Sequence, residues 1–314
     1  MVQDVFFPKD LAESLSLSTE ISRDLQNVGF MPLLFVQATF PYTEAKEHEF
    51  IRKNGNFQLV LYSPSGIPYG SIPRIVIAFL VTEAVRQKSR MIYLGENLTD
   101  FLNKLGLGCT GGKNGTITRL RKQLDSLFSC YISCSAIDET ETGKIKSIAN
   151  MVIADKSQLW WEPHSLFDES GKFRSYVRLS ESFYNSAISS PIPVDMDIIM
   201  KLKKSPMAVD IYCWATYRAS YLRASSRIGW EDLALQFGSN YKNLRHFKAH
   251  FRKHLGEIKK YYPELKFYDK DAKYLLMYPS APSVGKKIAK DKDSNKSNDN
   301  NGNNNNPDNS DNKD

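Results

Sequence analysis

The sequence lacks the features that mark secreted, membrane-embedded and disulfide-rich proteins. Its 4 cysteines are spread over 314 residues without a Cys-x-x-Cys pair, which argues against a disulfide framework. The longest apolar run, residues 75–85, contains Glu83 and is far shorter than the roughly 20 residues of a membrane span. Near the N-terminus, Asp4 stands where a signal peptide carries positive charge, and no apolar segment follows it. We therefore expect a cytoplasmic protein with reduced thiols and no membrane contact.

Sequence patterns of catalysis and cofactor binding are also missing. The glycine-rich loop at residues 110–115 lacks the spacing and the Lys-Ser/Thr ending of a nucleotide-binding P-loop. His246, His250 and His254 share one ridge of a predicted helix, but no further Cys or His in that stretch could complete a zinc site. Hydrogen-bond donors beside phosphate, or a plain helix surface, explain these histidines better. We expect no catalytic residue, no cofactor and no metal.

What the sequence does have is positive charge that is unevenly distributed. Its 42 Lys and Arg exceed its 35 Asp and Glu, which gives a formal net charge of +7. The tail, residues 285–314, is nearly all Lys, Asp, Asn and Ser, and its six lysines balance six aspartates. Such a segment buries too little apolar surface to offset its ordering entropy, so we predict that it is disordered. The positive excess therefore belongs to residues 1–284.

Within residues 1–284, basic side chains are concentrated in two clusters. The denser one lies between residues 242 and 260 and sets seven Lys and Arg against Glu257 alone. The second cluster comprises Lys113, Arg119, Arg121 and Lys122. Basic side chains grouped on short helices are typical of phosphate-backbone contacts, although a solvated helix face produces the same pattern.

One order of elements is predicted twice along the chain. In the first copy Ser71 is a suitable N-cap, Pro73 falls in the first turn, and an extended piece at 91–94 follows the first helix. This copy is predicted to have helices at 72–87, 98–105 and 116–128 and strands at 130–137 and 144–154. The second copy opens on the cap Ser205-Pro206. It is predicted to have helices at 206–222, 230–237 and 241–261 and strands at 265–269 and 273–278.

A helix, a helix-turn-helix and a hairpin, in this order, are typical of a winged-helix domain. We therefore predict an α+β fold of tandem winged-helix domains. The boundaries are an N-terminal segment (1–30), an N-terminal winged-helix domain (31–156), a C-terminal winged-helix domain (157–284) and the disordered tail (285–314). Both basic clusters fall on the second helix of a helix-turn-helix, the helix that enters the DNA major groove, so we predict binding to double-stranded DNA.

The candidate DNA contacts follow from helical spacing. In the C-terminal copy Leu244, Phe247, Phe251 and Leu255 recur every three or four residues and should face the core. The other face and the residues before it give the candidates Asn240, Lys242, Asn243, Arg245, His246, Lys248, Arg252 and Lys253. Arg pairs with guanine, Asn with adenine and Lys mostly with phosphate. We therefore expect base readout from Asn240, Lys242, Asn243, Arg245 and His246, and backbone contacts from Arg252, Lys253, Lys259 and Lys260.

The start of the equivalent helix in the N-terminal copy carries small polar and basic groups. The candidates there are Asn114, Thr116, Thr118, Arg119, Arg121 and Lys122. The same stretch contains three glycines, Gly111, Gly112 and Gly115. Because glycine has no side chain, these positions let the backbone approach a ligand closely.

Several runs of the sequence follow the pattern of a known family. They are Tyr69-Gly-Ser-Ile-Pro-Arg74, Thr82-Glu-Ala-Val-Arg-Gln-Lys-Ser89, Leu105-Gly-Leu107, Gly111-Gly112, Ile117-Thr-Arg-Leu120 and Leu127-Phe-Ser-Cys130. Over residues 30–280 the chain resembles the RepA-type replication initiators of theta-replicating plasmids of Gram-negative bacteria. Residues 69–74 and 117–130 are the most specific parts of this resemblance, and the Asn-rich tail is not part of it.

The resemblance implies a plasmid replication initiator that binds repeated origin sequences, called iterons, in duplex DNA. It implies opening of the adjacent A·T-rich duplex with the host initiator, recruitment of the host replicative helicase, and plasmid copy control through a homodimer that represses replication. A rolling-circle enzyme is disfavoured because no two of the 5 histidines are separated by one residue, as its metal-binding pair requires. The alternatives are a tandem winged-helix transcriptional repressor that does not initiate replication and, from another class, a nuclease or relaxase.

Overall fold

The computed structural model describes residues 27–95, 98–140, 143–159, 175–238, 241 and 243–284. The predicted disordered tail, most of the N-terminal segment, and the candidate contacts Asn240 and Lys242 lie outside these residues. Within the described ranges the chain is a mixed α/β structure with helices and strands interleaved along the sequence. In this part of the chain, no helix combines the length and the apolar character needed to cross a membrane.

The helices and strands are numbered in chain order. The helices are α1 (Leu33–Gln37), α2 (Ser71–Gln87), α3 (Leu98–Lys104), α4 (Thr116–Phe128), α5 (Glu181–Ser189), α6 (Met196–Leu202), α7 (Pro206–Tyr221), α8 (Trp230–Phe237) and α9 (Leu244–Tyr261). The strands are β1 (Val28–Pro32), β2 (Glu49–Asn54), β3 (Phe57–Tyr62), β4 (Met91–Gly95), β5 (Tyr131–Thr140), β6 (Gly143–Val152), β7 (Ala154–Gln158), β8 (Ser175–Leu179), β9 (Pro191–Asp195), β10 (Ser226–Gly229), β11 (Phe267–Tyr268) and β12 (Tyr274–Met277).

The same sequence of elements occurs twice in the structure. The first unit is α2, β4, α3, α4, β7 and β8, and the second unit is α7, β10, α8, α9, β11 and β12. Each unit forms a three-stranded antiparallel sheet, in the order β4-β8-β7 in the first and β10-β12-β11 in the second. The two units therefore share the pairing of their strands as well as the order of their elements. The remaining strands form a two-stranded sheet, β1-β9, and a four-stranded sheet, β2-β3-β5-β6.

The hairpin predicted to complete the first unit belongs to another sheet. β5 and β6 do form a long antiparallel hairpin, but β5 pairs with β3 and not with β4. This pairing buries Ile132, Cys134 and Ala136 on the same side as Leu59 and Leu61, so a continuous apolar face stabilises the four-stranded sheet. The hairpin is thus inserted between α4 and the strands β7 and β8, which supply the partners of β4.

Two of the predicted helix boundaries are confirmed, and two are shifted by their N-caps. Ser205 Oγ accepts the Ala208 backbone N–H, which confirms the cap of α7, and α8 ends before Gly238 as predicted. Ser71 is instead the first residue of α2, because Gly70 occupies the N-cap with a φ of 74° that favours glycine. α9 begins at Leu244 and not at 241, because Asn243 Oδ1 accepts the Arg245 backbone N–H and caps the helix.

An aromatic cluster fixes the rotation of α9 about its axis. The Phe251 ring lies 5.5 Å from Phe237, 5.9 Å from Trp230 and 6.1 Å from Trp214, measured between ring centroids, and all three contacts are edge-on. Phe247, like Phe251, is fully buried, and Leu255 and Ile258 extend the same face. The inward face predicted from the sequence is therefore confirmed, and the opposite face of α9 is exposed to solvent.

A buried ion pair connects the two units. Arg74 of α2 donates through Nε and Nη2 to the two carboxylate oxygens of Asp210 in α7, each at 2.7 Å, and the side chains are 2% and 6% exposed. Arg74 also donates to the backbone carbonyls of Phe40, at 2.7 Å, and Gly70, at 2.6 Å. Burial raises the pKa of Asp210, whereas the guanidinium groups of Arg74 and Arg52 favour its carboxylate form. This pair lies at the end of the run 69–74 and holds α2 against α7.

Candidate nucleic-acid interface

The exposed side of α9 forms a basic surface without acidic residues over its first three turns. Arg245, His246 and Lys253 are exposed there, with Ala249 between them on the same side of the helix. Asn243 is exposed at the N-cap, and Lys260 continues the surface near the C-terminal end. From 243 to 253 the chain contains no Asp or Glu. This surface can therefore offer several cationic donors to a polyanion.

Two of the predicted contacts on α9 are engaged within the protein. Lys248 Nζ donates to the carbonyl of Ala272 at 2.7 Å, and Arg252 Nε donates to the carbonyl of Asp269, also at 2.7 Å. The Arg252 guanidinium lies over the Trp230 ring, 5.0 Å from its centroid. These bonds hold the turn between β11 and β12 against α9, so both side chains position that turn.

Lysines near the C-terminal end of α9 also differ in their surroundings. Lys259 Nζ donates to the carbonyl of Leu265 and lies 6.0 Å from the centroid of the Phe267 ring, so it fixes the chain that leads into β11. Lys260 is exposed. The turn between β11 and β12 carries two further exposed lysines, Lys270 and Lys273.

The three histidines of α9 have three different environments. His246 is exposed, and the His250 ring packs against Tyr241 with 5.4 Å between centroids. His254 is half-buried, with Nε2 3.4 Å from Ser205 Oγ and Nδ1 3.6 Å from a carboxylate oxygen of Glu257. Burial lowers the pKa of His254, and Glu257 partly opposes that shift. His254 therefore links α9 to the start of α7.

In the first unit the polar groups at the start of α4 divide into exposed and internal side chains. Asn114 and Arg119 are exposed. Thr116 is buried, and its backbone N–H donates to Thr110 Oγ1 at 2.9 Å. Thr118 is exposed, and its Oγ1 donates to the Gly112 carbonyl at 2.8 Å. The two threonines thus order the glycine-rich loop that precedes the helix.

The remaining cations of α4 have acidic neighbours. Lys122 is half-exposed and bonds Glu44 Oε1 at 2.5 Å, and this hydrogen bond lowers the pKa of Glu44. Arg121 is half-buried, and its positive charge favours the ionised form of Asp125. Burial has the larger effect and raises the pKa of Asp125. Arg119 is therefore the cation of α4 that the structure leaves most available to a ligand.

The fold brings next to α4 a pair of lysines that the sequence alone does not single out. Lys203 and Lys204 precede the cap of α7, and with Arg119 and Lys122 they line a groove of about 540 Å³. The signal in the sequence was the run Lys-Leu-Lys-Lys at 201–204, directly before Ser205. Only the packing of α6 and α7 against the first unit reveals that this run lies beside the candidate recognition helix.

Solved structures similar to this chain include two of RctB. One is a crystal structure of selenomethionine derivatives of domains 2 and 3 of RctB, with a TM-score of 0.51 and 11% sequence identity, covering 79% of this chain and 98% of that chain. The other, a crystal structure of RctB domains 2–3, has a TM-score of 0.49 and 12% identity, covering 80% and 98% of the two chains. At 11% identity the first likeness establishes a shared fold and nothing further.

Comparison of the sequence with protein families gives a more direct result. Among curated proteins, no relative matches the sequence. The family described as plasmid encoded RepA protein matches residues 67–232, which is slightly more than half of the chain. The match begins just before α2 and includes both the inserted hairpin and α7 with its Asp210. The chain therefore belongs to the RepA family of plasmid replication proteins.

Proposed function

We propose that this chain is a plasmid replication initiator that binds iterons in duplex DNA through two winged-helix domains. The observation that carries the proposal is the exposed surface of the first three turns of α9, which is basic and free of acidic residues, while the other face of the helix packs into an aromatic core. Membership of the RepA family supports a role in replication. In this proposal α9 and α4 each enter a major groove as recognition helices.

The two repeated units support the assignment of winged-helix domains. In each unit three helices are followed by two paired strands, and the second of these strands also pairs with the strand between the first and second helices. The wing of the first domain is β7 and β8, which places its end at Leu179, and the wing of the second is β11 and β12. Lys270 and Lys273 at the second wing reach phosphates beside the groove.

On α9, base readout and backbone contact fall to different residues. Arg245 and His246 lie exposed in the first turn and read base edges, with Arg245 suited to a bidentate contact with guanine. Asn243 uses Oδ1 to cap the helix, so only its amide NH₂ faces the DNA, and a bidentate contact with adenine is lost. Lys253 and Lys260 contact phosphates.

The initiator acts by binding, without a covalent or hydrolytic step. Bound at the iterons, it opens the adjacent A·T-rich duplex together with the host initiator and recruits the replicative helicase in the cytoplasm. A homodimer represses replication and controls plasmid copy number. The alternative is a transcriptional repressor that binds duplex DNA in the same way but opens none.

The experiment that separates these functions measures strand opening on a supercoiled plasmid that carries the origin. We expect that the protein and the host initiator together make thymines of the A·T-rich tract reactive to permanganate. An Arg245→Ala variant should leave them unreactive, whereas a Lys144→Ala variant, altered at the tip of the β5–β6 hairpin, should behave as the wild type. Specific binding without any reactive thymine would favour the repressor.

A further inference from the structure

The turn between α6 and α7 touches the elements around both candidate recognition helices. Lys203 Nζ donates at 2.9 Å to the carbonyl of Gly106, in the turn that follows α3. Two residues later, Ser205 Oγ lies 3.4 Å from Nε2 of His254 in α9. Residues 203–205, which we call the lysine turn, therefore lie between the helix-turn-helix of the first unit and the long helix of the second.

A groove with a cationic lining opens beside the lysine turn. Its volume is about 540 Å³, and its charged side chains are Arg119, Lys122, Lys203 and Lys204. The described residues that line it include no Asp or Glu. The first residues of α2, α4 and α7 also line the groove, and the first turn of each of these helices has no acidic side chain. The helix dipoles therefore add to the positive potential of the four cations.

The four cations are not equally available to a ligand. Lys122 is paired with Glu44, and Lys203 donates to a backbone carbonyl. Arg119 and Lys204 are exposed, and their side chains make no hydrogen bond or ion pair within the described part of the chain. An anion in the groove thus gains charge-assisted bonds from Arg119 and Lys204 without breaking an existing pair.

We propose that this groove binds phosphates of the DNA backbone that passes between the two major grooves entered by α4 and α9. This inference rests on the proposed function, because it requires both helices to lie on one duplex. Arg119 and Lys204 contact the phosphates directly, and Lys203 holds the lysine turn against the first unit. The groove contributes affinity and fixes how the two units sit on the duplex, but it reads no base.

The salt dependence of DNA binding tests this proposal. With an origin duplex, removal of one phosphate contact should reduce the slope of log K against log salt concentration by about 0.9. We expect this reduction for Lys204→Ala and about twice as much for the double variant with Arg119→Ala, with the ratio of affinities for origin and scrambled DNA unchanged. Lys53→Ala, exposed on β2 outside the groove, is the matched control and should keep the wild-type slope. Circular dichroism melting of every variant confirms that it is folded.

The outcomes distinguish this proposal from the function on which it rests. Lys204→Ala and the double variant could keep the wild-type slope while Arg245→Ala binds DNA more weakly. This result would contradict phosphate binding in the groove and would leave the proposed initiator function intact. Equal affinity of the wild type for origin and scrambled DNA would overturn the proposed function itself. Binding of ATP alone that Lys204→Ala abolishes, with no change in the DNA slope, would assign the groove to a free nucleotide and contradict the proposal.

Discussion

The ion pair between Arg74 and Asp210 leads to the sharpest prediction about stability. Replacement of Arg74 by Met keeps much of the side-chain volume but leaves the carboxylate of Asp210, 6% exposed, without its bidentate partner. The carbonyls of Phe40 and Gly70 lose a donor as well. Removing one partner of a buried ion pair costs about 3 to 5 kcal/mol of the free energy of unfolding. At about 2 to 4 °C per kcal/mol, the melting temperature should fall by roughly 6 to 20 °C.

The assay is urea unfolding followed by the fluorescence of the buried Trp214 and Trp230, with far-ultraviolet circular dichroism as a second probe. Lys144→Ala is the control, because it removes a pair with Glu139 whose side chains are 70% and 75% exposed. Such an exposed pair contributes less than about 1 kcal/mol. Equal losses of stability in Arg74→Met and Lys144→Ala would show that the ion pair between Arg74 and Asp210 does not hold the two units together.

Three further predictions concern α9. Arg245→Ala should cost roughly 1 to 3 kcal/mol of DNA-binding free energy and relax sequence preference, whereas Lys253→Ala should weaken binding about equally on all sequences; gel-shift titrations that show no loss for Arg245→Ala would contradict this assignment. Asn243→Ala removes the N-cap and should lower the free energy of unfolding by about 1 kcal/mol in urea, and an unchanged midpoint would argue against the cap. Because burial lowers the pKa of His254, the unfolded chain binds more protons, and stability should fall as pH drops below the unfolded pKa of about 6.5. In His254→Gln the melting temperature should depend less on pH between pH 7 and the lowered pKa than it does in the wild type. Equal slopes of melting temperature against pH in the variant and the wild type would contradict this prediction.

The six helices of the two repeated units could be predicted from the sequence because their signals are local, whereas α1, α5 and α6 were not predicted. In α4 the signal is the spacing of the apolar residues, and in α7 it is the capping pair Ser205-Pro206. Each signal involves residues within one or two turns of the positions that it orders. The sequence predicts a start of α9 at 241, three residues before the observed start, because the basic and polar residues before Leu244 are compatible with a helix and only the Asn243 cap ends that possibility. Local composition therefore identifies a helix more reliably than its first residue.

Strand pairing could not be predicted in the same way. The alternation in β5 and β6 predicts a hairpin, but it does not reveal that β5 pairs with β3, about 75 residues earlier in the chain. Neither β2 and β3 nor β8 was predicted from the sequence, and these strands decide which sheet each hairpin joins. Such pairings depend on the register and burial of distant residues, which the sequence of one strand does not contain.

The candidate interface was predictable as a face but not residue by residue. Helical spacing correctly separates Phe247 and Phe251 from the exposed Arg245 and Lys253. It does not show that Arg252 bonds backbone carbonyls in the turn that follows β11, because a charged side chain gives no sign of its partner. The lysine turn was missed because its position beside α4 depends on how α6 and α7 pack.

The proposed function requires that the wild-type chain recognise a specific duplex sequence. The most direct measurement is a competition titration by fluorescence anisotropy, in which unlabelled origin repeats and scrambled duplexes of equal composition displace a labelled origin repeat at fixed salt. Origin repeats should compete at least about 10³-fold more strongly than scrambled duplexes, as is typical of specific DNA-binding proteins. Equal competition by the two duplexes would contradict the proposed function.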